Sequence, residues 1–300
     1  MNRIYVMELV RSFQVGQLTR RDFEEQAAAA LGSLSAAHML LTACDATSRE
    51  APPVILKEPG ASLTWSFESA ARSLLLAETA EYPDLDGETL TGYLARPVES
   101  GRRPAVVVIQ EWWGLDEHIK DVARRFVGEG FVALAPDLYH GAVASEPDEA
   151  RKLVMELDMG AAVREIQAAV AFLLAQDYVV GPQVGIVGFC MGGRLVLATT
   201  RVEENLGAAV AFYGSPLTPQ EATEVKAPLL GLYGDRDHIP VPDVRAMQAA
   251  LDQAGIENEF HIYAGAEHAF FNDTRASYHP EAAADAWSHT LAWFHAHLPG

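Results

Sequence analysis

Chemistry is easiest to see around residue 190. The segment Val187-Gly-Phe-Cys190-Met-Gly-Gly193 ends an apolar run and leads into helical spacing from about Arg194. A nucleophilic side chain with glycines two residues to either side, here Gly188-x-Cys190-x-Gly192, marks a sharp strand-to-helix turn that lifts the side chain out of a sheet. Such a turn presses backbone against neighbouring strands, and residues without Cβ relieve the crowding. The amides that open the helix direct positive potential toward the sulfur. Acyl transfer through a thioester is the chemistry this suits.

Other readings of the same residues remain. A cysteine in apolar surroundings is usually a small buried hydrophobe. A phosphate loop is disfavoured, because Gly185, Gly188 and Gly192 miss the GxGxxG spacing and no Gly-Lys-Ser/Thr follows. A nucleophile also needs an acid and a histidine, which follow it in that order in one class of triad enzymes. Downstream, Leu229–Tyr233 runs into Gly234-Asp235-Arg-Asp237-His238, and Phe260–Tyr263 runs into Gly265-Ala-Glu-His268. Asp237 and His268 are the candidates, with Asp235 a rival for the acid. His238 and His261 fall at the wrong places for the base. The amides of Met191 and Trp112 would form the oxyanion hole. Glu111, opening the Trp112 loop, would disfavour a neighbouring thiolate, or else is a structural carboxylate bonded to backbone amides. There is no HExxH, and no His/Asp/Glu cluster shows metal-ligand spacing, so neither a metal nor a cofactor is expected.

These residues need a scaffold of alternating strands and helices. Ser73–Thr79 and Glu88–Ala95 read as paired edge strands around Asp86-Gly87. Ala105–Ile109, Phe131–Ala135, Val184–Val187, Ala208–Phe212, Leu229–Tyr233 and Glu259–Tyr263 read as further strands, the first of them apolar enough to be buried on both faces. Helices are expected over Glu117–Gly128, Glu146–Leu157, Ala161–Ala175, Asp243–Gln253 and Pro280–His297. Repeated βα units give an α/β fold, a mostly parallel sheet flanked by helices, with ligands at the carboxyl ends of its strands.

Composition narrows the partners. The chain has 300 residues, with 22 basic against 41 acidic side chains and a net charge of −19. Such a surface repels nucleic acid and anionic lipid. No apolar run reaches the roughly 20 residues of a membrane span. Cys44 and Cys190 form no CxxC pair, which excludes a disulfide scaffold and suits a reducing, cytoplasmic setting.

Five segments together resemble the dienelactone hydrolase family: Gln110-Glu-Trp-Trp-Gly-Leu115, Ala135-Pro-Asp-Leu-Tyr139, Gly188-Phe-Cys-Met-Gly-Gly193, Gly234-Asp-Arg-Asp-His-Ile-Pro240 and Gly265-Ala-Glu-His-Ala-Phe270. The resemblance runs from about residue 73 to the C-terminus. It implies an α/β-hydrolase fold and cleavage of a small-molecule lactone or ester by a triad of Cys190, His268 and Asp237, with Glu111 controlling the thiol. In family members that open dienelactones, one arginine follows the Asp-Leu-Tyr motif and another follows the catalytic histidine, to bind the substrate carboxylate. Here His140-Gly141 and Asn272-Asp273 follow instead, with Arg275 off the matching position. The competing classes are a non-catalytic ligand-binding homologue, an aryl or carboxyl esterase with a neutral substrate, and a thiol redox sensor.

Residues 1–70 read as a helical N-terminal extension and linker ahead of a hydrolase domain at 71–300. Helical spacing covers Ile4–Phe13, Arg20–Leu31 and Ser35–Cys44, with Thr19 as an N-cap. This extension packs on the hydrolase domain or joins two subunits in a homo-oligomer. Its rival reading is an export signal built on Arg20-Arg21 and a lipoprotein-like Leu41-Thr-Ala-Cys44.

Overall fold

The computed structural model describes residues 75–84 and 86–299. The expected N-terminal helices, the linker and the Arg20-Arg21 and Cys44 signals lie outside the described residues. In chain order the elements are β1 (Leu75–Pro83), β2 (Thr89–Pro97), β3 (Ala105–Ile109), α1 (Glu117–Gly128), β4 (Val132–Pro136), α2 (Pro147–Glu156), α3 (Met159–Leu174), β5 (Val184–Phe189), α4 (Met191–Thr199), β6 (Leu206–Phe212), α5 (Pro219–Ala222), β7 (Leu229–Gly234), α6 (Val241–Ala254), β8 (Asn258–Tyr263) and α7 (Pro280–His297).

The strands form one eight-stranded sheet in the order β1-β2-β4-β3-β5-β6-β7-β8. β1 pairs antiparallel with β2 and β2 with β4, and every later pairing is parallel. This is the expected mostly parallel α/β sheet. β3 to β7 are buried along their whole length. Their uninterrupted apolar runs follow from helices covering both faces. Alternate residues still point to opposite sides. Val107, Ile109, Leu134 and Ile186 share a core with Ile166 and Leu173 of α3, Leu195 and Val196 of α4, and Val244 and Met247 of α6. On the other side, Phe126 of α1 meets Trp287 and Phe294 of α7 at ring distances of 4.6 and 5.9 Å.

Local chemistry sets the boundaries. Asp116 caps α1 by accepting from the Ile119 amide at 3.1 Å, and Asp158 caps α3 through the amides of Gly160 and Ala161. α6 starts at Val241, two residues before the expected Asp243, because Pro242 fits a first helical turn. β1 extends four residues past the expected Thr79 to Pro83. Ala80 and Tyr82 face inward there, and proline is tolerated on an edge strand. The one-turn α5, with its Thr218–Glu221 capping box, carries too short a pattern to be seen in sequence.

The topology also fixes where a ligand can bind. After β3 the chain moves to β4 on one side, then crosses back to β5 on the other. β3 and β5 are neighbours, with Ile109 opposite Gly188. Their carboxyl ends flank the point where strand order reverses, the usual ligand crevice of an open α/β sheet.

α4 begins at Met191, three residues before the expected Arg194. Gly192 and Gly193 are weak helix formers. They are required because the turn packs backbone on backbone. A Cβ on Gly192 would lie 2.5 Å from the carbonyl oxygens of both Ile109 and Gln110, and one on Gly188 would lie 2.3 Å from the Gly192 oxygen. Gly192→Ala is expected to lower stability by about 2–4 kcal/mol. Thermal unfolding checks this, and an unchanged midpoint would mean that β3 and α4 can separate freely.

Candidate active site

Cys190 stands between β5 and α4 with φ 56° and ψ −114°. For a residue with a Cβ this backbone costs on the order of 1–3 kcal/mol, and the surrounding bonds hold it. Its amide donates to the Phe212 oxygen at 3.1 Å, and its carbonyl accepts from Arg194 N–H at 3.1 Å. The thiol is half-buried and unbridged.

The turns after β7 and β8 bring the acid and base together. His268 Nδ1 lies 3.0 and 2.9 Å from the two carboxylate oxygens of Asp237. The Asp237 side chain is fully buried, and Oδ1 also accepts from the Ile239 amide at 3.1 Å. Asp235 does something else: its Oδ1 accepts from the Gly265 amide at 2.7 Å and ties the two turns together. Of the two aspartates, Asp237 is the one against the imidazole. With Nδ1–H committed to Asp237, the other ring nitrogen of His268 is the one left to exchange a proton. Burial alone would push the His268 pKa down. Hydrogen bonds to Asp237 and to Cys190, with the negative charge of both, outweigh it and raise the pKa to about 10.

Glu111 is held by side chains. It is buried, 2% exposed, but backbone amides do not hold it. Tyr213 Oη–H donates to Oε1 at 3.2 Å, and Asn272 Nδ2–H donates to Oε2 at 2.7 Å. Burial pushes its pKa up, against the opposing charge of His118 and these two hydrogen bonds. Tyr213, which follows β6, adopts φ 38° and sets its ring 5.0 Å from that of His268. It therefore links Glu111 to the base.

Met191 is the first residue of α4, where helix geometry leaves the amide without an intrahelical acceptor. Trp112 lies in the tight turn closed by Gly114 N–H to the Glu111 oxygen at 3.3 Å. Both predicted oxyanion residues therefore sit at the carboxyl ends of the neighbouring strands β3 and β5. Beside them, Tyr139 Oη–H donates to Met191 Sδ at 3.2 Å, and the Arg275 guanidinium covers the Trp113 ring at 3.8 Å. A groove of about 510 Å³ lies elsewhere, lined by residues such as Thr91, Tyr93, Lys120, Arg124 and Asp137, and it contains none of the candidate residues.

Two residues of this neighbourhood were given no role from sequence. Tyr213 and Asn272 belong to no motif, and only their positions just after a strand end and a histidine turn could have pointed to them. His238, set aside as the base, shares the acid: its Nδ1 lies 2.9 Å from Asp237 Oδ1 and its ring 4.5 Å from that of His268. Potential metal donors far apart in sequence also come together. Among the described residues, Asp237, His238 and His268 converge, and so do Glu259, His261 and His289. Long-range contacts make both groups, so local spacing does not reveal them.

A sequence model of the dienelactone hydrolase family matches residues 90–298, which include every residue of this constellation. The chain belongs to the dienelactone hydrolase family. A Methylorubrum extorquens protein provisionally named a carboxymethylenebutenolidase is 37% identical over 236 residues, covering 73% of this chain and 81% of its own. An Escherichia coli K12 protein with the same provisional name is 36% identical, with coverages of 69% and 83%. The crystal structure of a provisionally named dienelactone hydrolase from Klebsiella pneumoniae superposes with a TM-score of 0.69 at 35% identity, covering 74% of this chain and 98% of that one. The fold is accordingly the α/β-hydrolase fold of dienelactone hydrolases, and the chain is a hydrolase of that family, of the carboxylic ester class. Among the described residues no helix is long and apolar enough to cross a membrane.

The raised His268 pKa has a consequence for stability. A folded-state value above the ordinary 6.5 stabilises the fold fully below pH 6.5, and that contribution is lost as pH rises toward 10. The stability difference between wild type and His268→Gln is expected to shrink across this window in chemical denaturation. A difference that is flat with pH would remove the bonds to Asp237 and Cys190 as its source.

Proposed function

We propose that this chain hydrolyses lactones or activated carboxylic esters through a thioester on Cys190. The observation that carries the reading is the Asp237–His268 pair at 2.9 Å, beside a cysteine held in a strained turn at a helix N-terminus. With its pKa raised to about 10, His268 is a strong enough base to take the Cys190 proton and hold it as imidazolium. The thiolate attacks the carbonyl carbon, and the Met191 and Trp112 amides receive the oxyanion. Collapse expels the leaving oxygen, which takes the proton from His268. The thioester sulfur is then neutral, so part of what raised the imidazole pKa is gone. His268 now accepts a proton from water, hydroxide adds to the thioester, and the carboxylic acid leaves as Cys190 regains its charge.

The sulfur also restricts the substrate. A thiol of pKa about 8.5 leaves a tetrahedral intermediate more easily than an alkoxide does. Enol lactones and aryl esters, whose leaving groups are stabilised, are therefore favoured over alkyl esters. Neutral members of that class fit better than doubly anionic dienelactones. At the position after the histidine turn, Asn272 is committed to Glu111, and Asp273 adds a carboxylate that occupies Arg125 at 2.6 Å. Glu111 restrains the thiol only if it exchanges its Tyr213 and Asn272 bonds. A thiolate nucleophile suits a reducing compartment, so the cytoplasm is the proposed location.

The test is a panel of aryl acetate, neutral enol lactone and dienelactone, with intact-mass detection of the acyl-enzyme. Cys190→Ala is expected to lower kcat/KM by at least about 10³-fold and to abolish the acyl adduct. Undiminished turnover by that variant would remove Cys190 from the mechanism. Faster turnover of dienelactone than of the neutral lactone would reverse the substrate preference.

A further inference from the structure

Far along the chain from the thiol, β8 and α7 bring together a second set of donors. Glu259 and His261 are two residues apart on β8 and share one face of the strand. His289 comes from the middle of α7. His261 Nε2 and His289 Nδ1 both approach the same carboxylate oxygen, Glu259 Oε1, the latter at 3.1 Å. The two imidazole rings lie 3.8 Å apart between centroids. One donor atom from each of the three residues falls within 4.8 Å of the other two. We propose that Glu259, His261 and His289 form a site for a divalent transition-metal ion, with zinc the reference ion, that pins α7 to the edge strand β8.

The spacing fits such an ion. Ligand atoms about 2.0–2.1 Å from a tetrahedral zinc lie roughly 3.3 Å from one another. The His289–Glu259 separation is close to that value, and the tighter His261–Glu259 contact has only to open. The donors match the ion as well, since two imidazoles and one carboxylate suit zinc, copper or nickel and not magnesium or calcium, which prefer oxygen. All three residues are partly exposed, so water can complete the coordination.

The surroundings carry a further sign of a metal site. His289 Nε2 faces Asp285 Oδ2 at 3.5 Å, and Tyr263 Oη–H donates to that same oxygen at 3.1 Å. A carboxylate behind the outer nitrogen of a histidine fixes its tautomer and leaves the inner nitrogen lone pair for a cation. Asp285 therefore sits where a supporting ligand residue belongs, one helical turn before His289. The net charge of −19 favours cation binding over the whole molecule. The competing account is a cluster held only by N–H···O bonds and ion pairing, with no affinity for metal.

Zinc titration of full-length, chelator-treated protein by calorimetry decides between them. It is best done in a Cys190→Ala background, which removes the thiol as a rival ligand. The expected result is one Zn²⁺ per chain, with affinity lowered at least about tenfold by His261→Ala or by His289→Ala. Mg²⁺ should not compete. Zinc should also raise the unfolding midpoint and slow hydrogen exchange in β8 and α7, and both effects should vanish in His289→Ala. His289 is partly exposed, so an unchanged metal-free midpoint in that variant verifies its fold. No binding by the parent protein, or binding by both variants as tight as the parent's, would overturn the proposal.

Discussion

Everything at this site depends on one backbone-to-backbone approach. The turn from β5 into α4 lies so close to the end of β3 that Gly192 has only carbonyl oxygens where a side chain would be. The same approach forces Cys190 into its left-handed conformation and presents the sulfur at the rim of the sheet. It also brings the Met191 and Trp112 amides, one from each strand, to the same rim. Position and strain are two aspects of a single packing choice. The sheet supplies the rigidity, because five consecutive strands have no exposed edge or face on which to relax.

Two buried carboxylates stand behind this rim, and their surroundings separate them. Asp237 accepts from an imidazole N–H and a backbone amide. Glu111 receives a phenol and an amide side chain and is pushed toward its neutral form by burial. Tyr213 lies between the two systems, bonded to Glu111 with its ring edge against His268. Any change in the charge of Glu111 is therefore felt next to the base through one side chain.

The fold was legible because its signal is local. Apolar runs bounded by glycine and acidic turns located all eight strands within a few residues, and five of the helices stand where their spacing placed them. Boundaries moved where proline or glycine obeyed a tertiary demand, as at Pro83, Pro242 and Gly192. The candidate nucleophile, acid and base were legible for the same reason, since each lies in a short turn after a strand end. What stayed hidden needed contacts across long separations. Tyr213 and Asn272 reach Glu111 from 102 and 161 residues away. Likewise, nothing in the spacing of Glu259 and His261 announces that α7 will lay His289 beside them.

The hydrogen bond from Gly265 N–H to Asp235 has a mechanical meaning. It joins the turn that carries Asp237 to the turn that carries His268, alongside the backbone bonds from Asp235 N–H to Tyr263 and from Arg236 N–H to Ala266. The two turns then move as one body. If β8, the outermost strand, shifts in thermal motion, acid and base are displaced together, and the distance between them is conserved while their distance to the sulfur changes. The bond thus guards the distance between Asp237 and His268 apart from the distance between His268 and Cys190.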